Sequence, residues 1–200
     1  MAKLIPGATT FLQPATEDEL TEQLTAVSAG GGEDEPGVLI LAGGTSLAFS
    51  RPDTRTILEL NGLPFRGCRT ESGSELSIGA VTTVTELEND PETAGFCGGI
   101  LRQATDMLAS TPLRNLITAG GNLAAGYAWC DLPVAFLALD GRYELFPGGE
   151  IMEIPAGGDR SFRRLAGSGT VIRRIILSGR FRDWTGAFIK FARTHSDLAM

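Results

Sequence analysis

Histidine is almost missing from this sequence: His195 stands alone among 200 residues. A multi-histidine metal site within the chain is therefore excluded. A serine–histidine–aspartate triad would rest on that one residue near the C-terminus. Cysteine is also scarce. Cys68, Cys97 and Cys130 are far apart and odd in number. They form no Cys-x-x-Cys pair, no disulfide framework and no iron–sulfur run, which would need four thiolates. No stretch approaches the roughly 18 apolar residues of a membrane span. The opening MAKLIPGATTF has no apolar core of a secretion signal. These absences predict a soluble, cytoplasmic protein. Positive charge is in deficit, with 17 Lys and Arg against 24 Asp and Glu, a net charge of −7. Such a chain is a poor non-specific partner for nucleic acid or an anionic membrane.

What is abundant is glycine, 26 residues against a usual share of roughly 7%. Much of the backbone must turn tightly or approach something closely. Hydrophobic residues reach 42%, enough for a core without metal or disulfide staples. Residues 16–28 read as a helix, with Thr16 and Glu19 as a capping box and Leu20, Leu24 and Val27 as its apolar stripe. VLILA, 38–42, predicts a strand buried on both faces, and TILEL, 56–60, a second strand. GGGEDEP, 30–36, reads as a polar connection. Beyond residue 60 a hairpin is expected from 66–70 and 75–79 around Ser72-Gly73. A short helix with a Thr83/Glu86 capping box follows, then a helix over about 98–109. Asp131 opens another helix with Pro133 in its first turn. Residues 143–146, 151–154 and 171–177 read as strands. Helices and strands without regular alternation predict an α+β fold, divided into residues 1–60 and 61–200.

Two segments stand out, Ala42-Gly43-Gly44-Thr45-Ser46 and Thr118-Ala119-Gly120-Gly121-Asn122. Each follows an apolar stretch and gives up its side chains for two residues. A Gly-Gly pair either makes a turn or exposes consecutive backbone N–H groups as a nest for phosphate oxygens. Two such nests converging would hold a pyrophosphate from both sides. The usual dinucleotide fingerprint is missing, and no lysine follows a glycine loop as in a P-loop. Asp131 reads either as a cap for a helix beginning at Leu132 or as a ligand contact. Lys190 reads either as a solvated cation or as a ligand contact.

In order along the chain, FLQPATEDEL, LILAGGTSL, ELNGLP, LSIGAVTTVTELEND, LRNLITAGGNLA, CDLPVAFLALDG and FIKFARTHSDLA together resemble the flavin-binding subunit of the molybdenum hydroxylases. That group includes xanthine dehydrogenase and the medium subunit of aerobic carbon monoxide dehydrogenase. The resemblance covers nearly the whole chain. It implies a two-subdomain α+β fold of the vanillyl-alcohol oxidase and carbon monoxide dehydrogenase flavoprotein type, with FAD extended between the subdomains. It implies that Ala42, Gly43, Gly44, Thr45 and Ser46, flanked by Ile40 and Leu47, form a first pyrophosphate loop. Thr118, Gly120, Gly121 and Asn122 would form the second. Asp131 would be the acidic flavin-contacting residue, Leu108 and Ile172 apolar neighbours of the cofactor, and Lys190 a late basic contact. Relatives more often carry Asp, Glu or His where Ser46 stands. The resemblance also implies a further C-terminal subdomain in relatives, which is expected to be absent here.

The resemblance implies a role in electron transfer. Electrons would come from a molybdopterin-binding large subunit, through a 2Fe-2S small subunit, to FAD here, and on to NAD or another acceptor. The contrasting reading is a nucleotide-binding or assembly module that keeps the fold without electron transfer. Two expectations sharpen the first reading. Valine at Gly120 or Gly121 should abolish FAD binding and leave the protein folded. Trp184, Phe188 and Phe191 should form an apolar surface near residues 180–200.

Overall fold

A computed structural model describes residues 10–28, 38–48, 56–154, 169–194 and 197–199. The 30–36 connection and His195 lie outside the described residues. The chain builds two sheets. The smaller is parallel throughout and contains β1 (Thr10–Leu12), β2 (Val38–Leu41) and β3 (Thr56–Glu59) in the order β1-β3-β2. The helix α1 (Glu17–Ser28) connects β1 to β2. Thr16 caps it by accepting from the Glu19 amide at 3.2 Å, and the Glu19 carboxylate accepts in return from the Ala15 amide at 2.8 Å. The reciprocal bond thus falls one residue earlier than the capping-box pattern predicts. The strand over 38–41 is present, but only Val38 is fully buried. β2 lies at the sheet edge, and β3 takes the centre with Ile57 and Leu58 buried. β1 had no sequence signal, being only three residues long.

The larger sheet is antiparallel, in the order β4-β5-β8-β6-β7. Its strands are β4 (Cys68–Thr70), β5 (Leu76–Gly79), β6 (Arg142–Phe146), β7 (Ile151–Glu153) and β8 (Val171–Leu177). The helices α2 (Val84–Asn89), α3 (Pro91–Gly95), α4 (Ile100–Asp106), α5 (Thr111–Arg114), α6 (Ala119–Ala124) and α7 (Asp131–Ala138) intervene between β5 and β6. Leu76, Ile78, Ile172 and Ile175 from the strands share one core with Phe96, Leu101, Leu132 and Phe136 from the helical region. The Thr83/Glu86 capping box of α2 forms with both bonds present. The helix expected over 98–109 is confined to 100–106. Cys97, Gly98 and Gly99 all have positive φ, as does Ala109 beyond its end, and a right-handed helix cannot run through such residues.

The core of the small sheet is not closed by its own residues. Leu20 and Leu24 of α1 and Leu58 of β3 pack in one cluster with Leu63, Phe65, Val81, Phe146 and Val171. Arg173 reinforces this junction. Its guanidinium pairs with Glu17 of α1 and, at 3.5 Å, with Glu144 of β6, and lies 5.6 Å from the centre of the Phe65 ring. At the other end of the chain, Trp184 and Phe191 are 62% and 75% exposed, as expected, and Ile189 joins them at 76%. Phe188 instead packs against the larger core. Among the described residues no helix is long and apolar enough to cross a membrane.

Candidate functional site

The first glycine segment leaves β2 as a bend and passes into a 3-10 turn over Thr45–Ala48. Gly44 has φ +67, a left-handed conformation that glycine adopts without penalty. Leu47 N–H donates to the Gly44 carbonyl at 3.2 Å and closes the turn. Asn61 donates to the Ala42 carbonyl at 3.2 Å and holds the loop from the end of β3. Among the described residues, the backbone amides of Gly43, Gly44 and Thr45 donate to no protein acceptor. Consecutive unspent amides around a left-handed residue form a nest that fits an anion.

The second glycine segment is built differently. Read as a loop, it is in fact the first turn of α6, with Thr118 as the N-cap. Its amides are already in use. Ala119 donates to Thr82 at 2.8 Å and Gly120 to Ala80 at 2.8 Å. Gly121 donates to the Thr118 hydroxyl at 3.1 Å, and Asn122 to the Thr118 carbonyl at 2.8 Å. The expected second amide nest is therefore corrected: the segment spends its N–H groups on the strand end beside it and on its own cap. What it offers is the side chain of Asn122, whose Oδ1 is buried with no hydrogen-bond partner. A buried amide oxygen is costly to leave unpaired.

The glycines themselves serve close approach. A Cβ on Gly120 would sit 2.7 Å from the Ala80 Cβ, and one on Gly121 2.6 Å from the Thr118 Oγ1. A Cβ on Gly43 would sit 1.7 Å from the Leu116 carbonyl oxygen. The first loop thus rests on the turn that leads directly into the second, and the two segments converge.

A third polar feature lies on the same helical layer. Lys190 Nζ donates to Asp131 Oδ2 at 2.8 Å and to the Met107 carbonyl at 2.9 Å. The two side chains are only 7% and 4% exposed. Neither simpler alternative for these residues survives. α7 begins at Asp131 with Cys130 at the cap position and no side-chain cap bond. Lys190 is buried and paired, not solvated. Burial pushes the Asp131 carboxyl above its ordinary range, and the Lys190 hydrogen bond and charge oppose that push. The pair pins the irregular segment after β8 to the start of α7. Residues 59 positions apart give no local pattern that would announce it.

Leu108 and Ile172 are both buried in the larger core. Ile40, Thr45, Ser46 and Leu47 are half-buried around the first loop. Trp129 stacks on Tyr127 with ring centres 4.5 Å apart and planes 7° apart. The cysteines are poor nucleophiles. Burial, with Asp90 nearby, pushes the Cys68 thiol up to about 12, and burial pushes Cys130 up to about 11. Among the described residues no group of three His, Cys, Asp or Glu could hold a metal ion.

A parallel three-stranded layer joined to an antiparallel sheet, with an amide nest at the junction, defines a nucleotide-cofactor module of neither Rossmann nor P-loop type. The chain belongs to the family described as the FAD binding domain in molybdopterin dehydrogenase, which matches residues 7–177. It is 31% identical over 126 residues to the carbon monoxide dehydrogenase medium chain of Hydrogenophaga pseudoflava, covering 60% of this chain and 42% of that one. It is 28% identical over 130 residues to the xanthine dehydrogenase FAD-binding subunit of Escherichia coli, covering 62% and 44%. The chain thus matches less than half the length of these curated relatives. The structure superimposes on carbon monoxide dehydrogenase from Hydrogenophaga pseudoflava lacking the Mo-pyranopterin moiety of its cofactor. The TM-score is 0.77 at 25% identity, over 98% of this chain and 68% of that one. The α+β flavoprotein fold is therefore as expected, and FAD is the family's cofactor. The nest and the orphaned Asn122 oxygen fit such a ligand, which brings phosphate acceptors for the first and donor groups for the second.

Proposed function

We propose that this chain is the FAD-binding, electron-transfer component of a molybdopterin-dependent dehydrogenase. Its partners would be a molybdopterin-binding large subunit and a 2Fe-2S small subunit, with NAD or another acceptor receiving the electrons. The observation that carries the reading is the junction at Gly43 and Leu116, where an unspent amide nest meets the helix start bearing an unpaired buried carboxamide. FAD, when bound, accepts electrons singly or in pairs, and that chemistry is the cofactor's own.

The chain's residues bind and orient. The amides of Gly43, Gly44 and Thr45 hold the pyrophosphate, and the Ser46 hydroxyl adds a donor. Ile40, Ala42 and Leu47 wall that loop. Thr118, Gly120 and Gly121 set the close-packed turn that presents Asn122 to a cofactor donor. Asp131 and Lys190 fix the segment after β8 beside Leu108, which with Ile172 supplies the apolar side. Adding FAD to flavin-free protein and following its absorbance and fluorescence tests the reading. Stoichiometric uptake is expected. A chain that takes up no added FAD would favour the nucleotide-binding or assembly module without electron transfer instead.

A further inference from the structure

We propose that Arg114 is the positioning residue for the junction between the two glycine segments, and through it sets how tightly the chain holds FAD; this rests on the reading above. Arg114 ends α5, and its side chain is 16% exposed. Among the described residues its guanidinium makes no bond to the nest, Asn122 or the Asp131–Lys190 pair. It grips α4 instead. Nη1 donates to the carbonyls of Asp106 at 3.1 Å and Thr105 at 3.4 Å, at the open C-terminal end of that helix. A cation there also complements the helix dipole. Nη2 donates to the Thr111 hydroxyl at 3.3 Å, and Nε lies 3.6 Å from the Glu88 carboxylate of α2. The fork thus hydrogen-bonds the turn over 111–117 to α4, while its Nε, buried without a hydrogen-bond partner, meets α2 only through the charge of Glu88.

That turn is knit together by its own backbone hydrogen bonds. Leu113 and Arg114 N–H both donate to the Ser110 carbonyl, Asn115 to Thr111 and Ile117 to Leu113. Apart from the Arg114 grip, its outward hydrogen bonds are the Val84 amide on the Ile117 carbonyl at 2.8 Å and the Thr85 hydroxyl on Asn115 at 2.6 Å, and Ile117 packs against the larger core. Both of these hydrogen-bond anchors belong to α2. Among these hydrogen bonds, those of Arg114 alone reach α4. The Leu116 carbonyl of the same turn is the surface on which Gly43 rests, and Thr118 follows it directly. Releasing the fork frees the turn to swing on its α2 anchors and shifts the platform beneath the nest. Lysine cannot replace it, because a single ammonium cannot serve two carbonyls, a hydroxyl and a carboxylate with fixed planar geometry.

The test uses the full flavin-free chain with R114Q, R114K and, as a control, R180Q. Arg180 pairs with Asp140 at an exposed site, 63% and 51% exposed. Three quantities are read: FAD affinity by fluorescence titration, amide hydrogen exchange over residues 115–118, and the thermal midpoint. R114Q is expected to weaken FAD on the order of tenfold and to speed exchange over 115–118, with R114K recovering only part of both. R180Q should leave affinity and exchange unchanged. Wild-type affinity and exchange in R114Q, or full rescue by R114K, would overturn the proposal. Should R114Q fail to fold, R114K against wild type carries the same comparison. A wild-type chain that takes up no FAD while R114Q still loosens the turn would overturn the functional reading and leave the role of Arg114 in the turn standing.

Discussion

The two glycine segments, 42–46 and 118–122, are near-copies in sequence and opposites in hydrogen-bond accounting. In the first, the chain turns at a left-handed Gly44, and three successive amides donate to no acceptor among the described residues. In the second, every amide from Ala119 to Asn122 is bonded within the protein, and the helix start packs against Ala80 so closely that no Cβ fits at Gly120. In the proposed reading, the first glycine pair serves a ligand as well as the fold, while the second serves the fold and leaves the ligand contact to the side chain of Asn122. A Gly-Gly pair is therefore not a chemical signal on its own. Its meaning depends on what the neighbouring backbone does with the exposed amides.

The difference predicts where substitutions act, and Gly120→Val should have the largest effect on the flavin-free protein. Its Cβ alone would meet the Ala80 Cβ at 2.7 Å and the Ala80 carbonyl at 2.9 Å. Backbone cannot yield as a flexible side chain can. Overpacking of this kind costs about 1–3 kcal/mol and occasionally more. Thermal denaturation without FAD should show that loss. This replaces the expectation that valine would abolish binding in a still stable fold. A flavin-free midpoint equal to wild type, with FAD binding lost, would break the comparison and make the second segment a cradle like the first.

Asp131→Asn comes next. It leaves the Lys190 ammonium 4% exposed, with a neutral acceptor and the Met107 carbonyl. Breaking a buried pair outright costs about 3–5 kcal/mol. Asparagine keeps one acceptor oxygen and resembles the uncharged carboxyl that burial favours, so the loss in flavin-free stability should stay well below that figure, at about 1–2 kcal/mol. Asparagine as an equally good helix cap would predict no loss, but Asp131 makes no cap bond. The pH dependence has a definite sign. The folded-state carboxyl titrates above its unfolded value, mainly through burial. The stability this group contributes is therefore complete below the unfolded value and is lost as pH rises through the folded one. The midpoint of wild type relative to D131N should therefore fall as pH rises through the folded value, on top of the pH dependence that the other carboxylates give both proteins.

How much of this was legible in advance follows the reach of each interaction. The α2 capping box and the 68–70/76–79 hairpin depend on residues a few positions apart, and both form where their patterns stand. α6 was hidden because its cap runs from Thr118 to a glycine amide, and two glycines lower helix propensity where a helix begins. The Asp131–Lys190 pair, the Arg114 fork and the shared core across residue 60 join positions far apart in the chain. Their residue types could be singled out through resemblance for Asp131 and Lys190. Arg114 lay inside a recognised motif, but nothing local distinguishes a buried fork from a surface cation.

Gly44→Ala sharpens the comparison from the side of the first segment. At φ +67 an alanine pays about 1–2 kcal/mol for the left-handed conformation. Its Cβ would meet only the end of the flexible Leu41 side chain, at 3.2 Å. The flavin-free cost should stay near that strain. The loss in FAD affinity should exceed it, because relaxing the turn re-aims the amides beside it. Unchanged FAD affinity in a variant that carries the stability cost would mean that the nest contributes nothing to binding.

Asn122→Ala should have the smallest effect on the flavin-free protein, and its sign is the informative part. The Oδ1 of Asn122 is buried without a partner, so wild type carries a desolvation cost that no protein bond repays. Removing a buried unsatisfied polar group recovers about 1–3 kcal/mol of that cost, offset by the side-chain packing lost with it. The flavin-free midpoint should therefore stay level or rise. If a donor on FAD satisfies that oxygen, alanine should at the same time weaken FAD by roughly tenfold. Stability and affinity would then move apart, which no purely structural asparagine would cause. In the first segment the proposed contacts come mainly from backbone amides, which no side-chain truncation removes. A fall in the flavin-free midpoint with unchanged FAD affinity would return Asn122 to the fold and leave the first segment as the whole of the phosphate site.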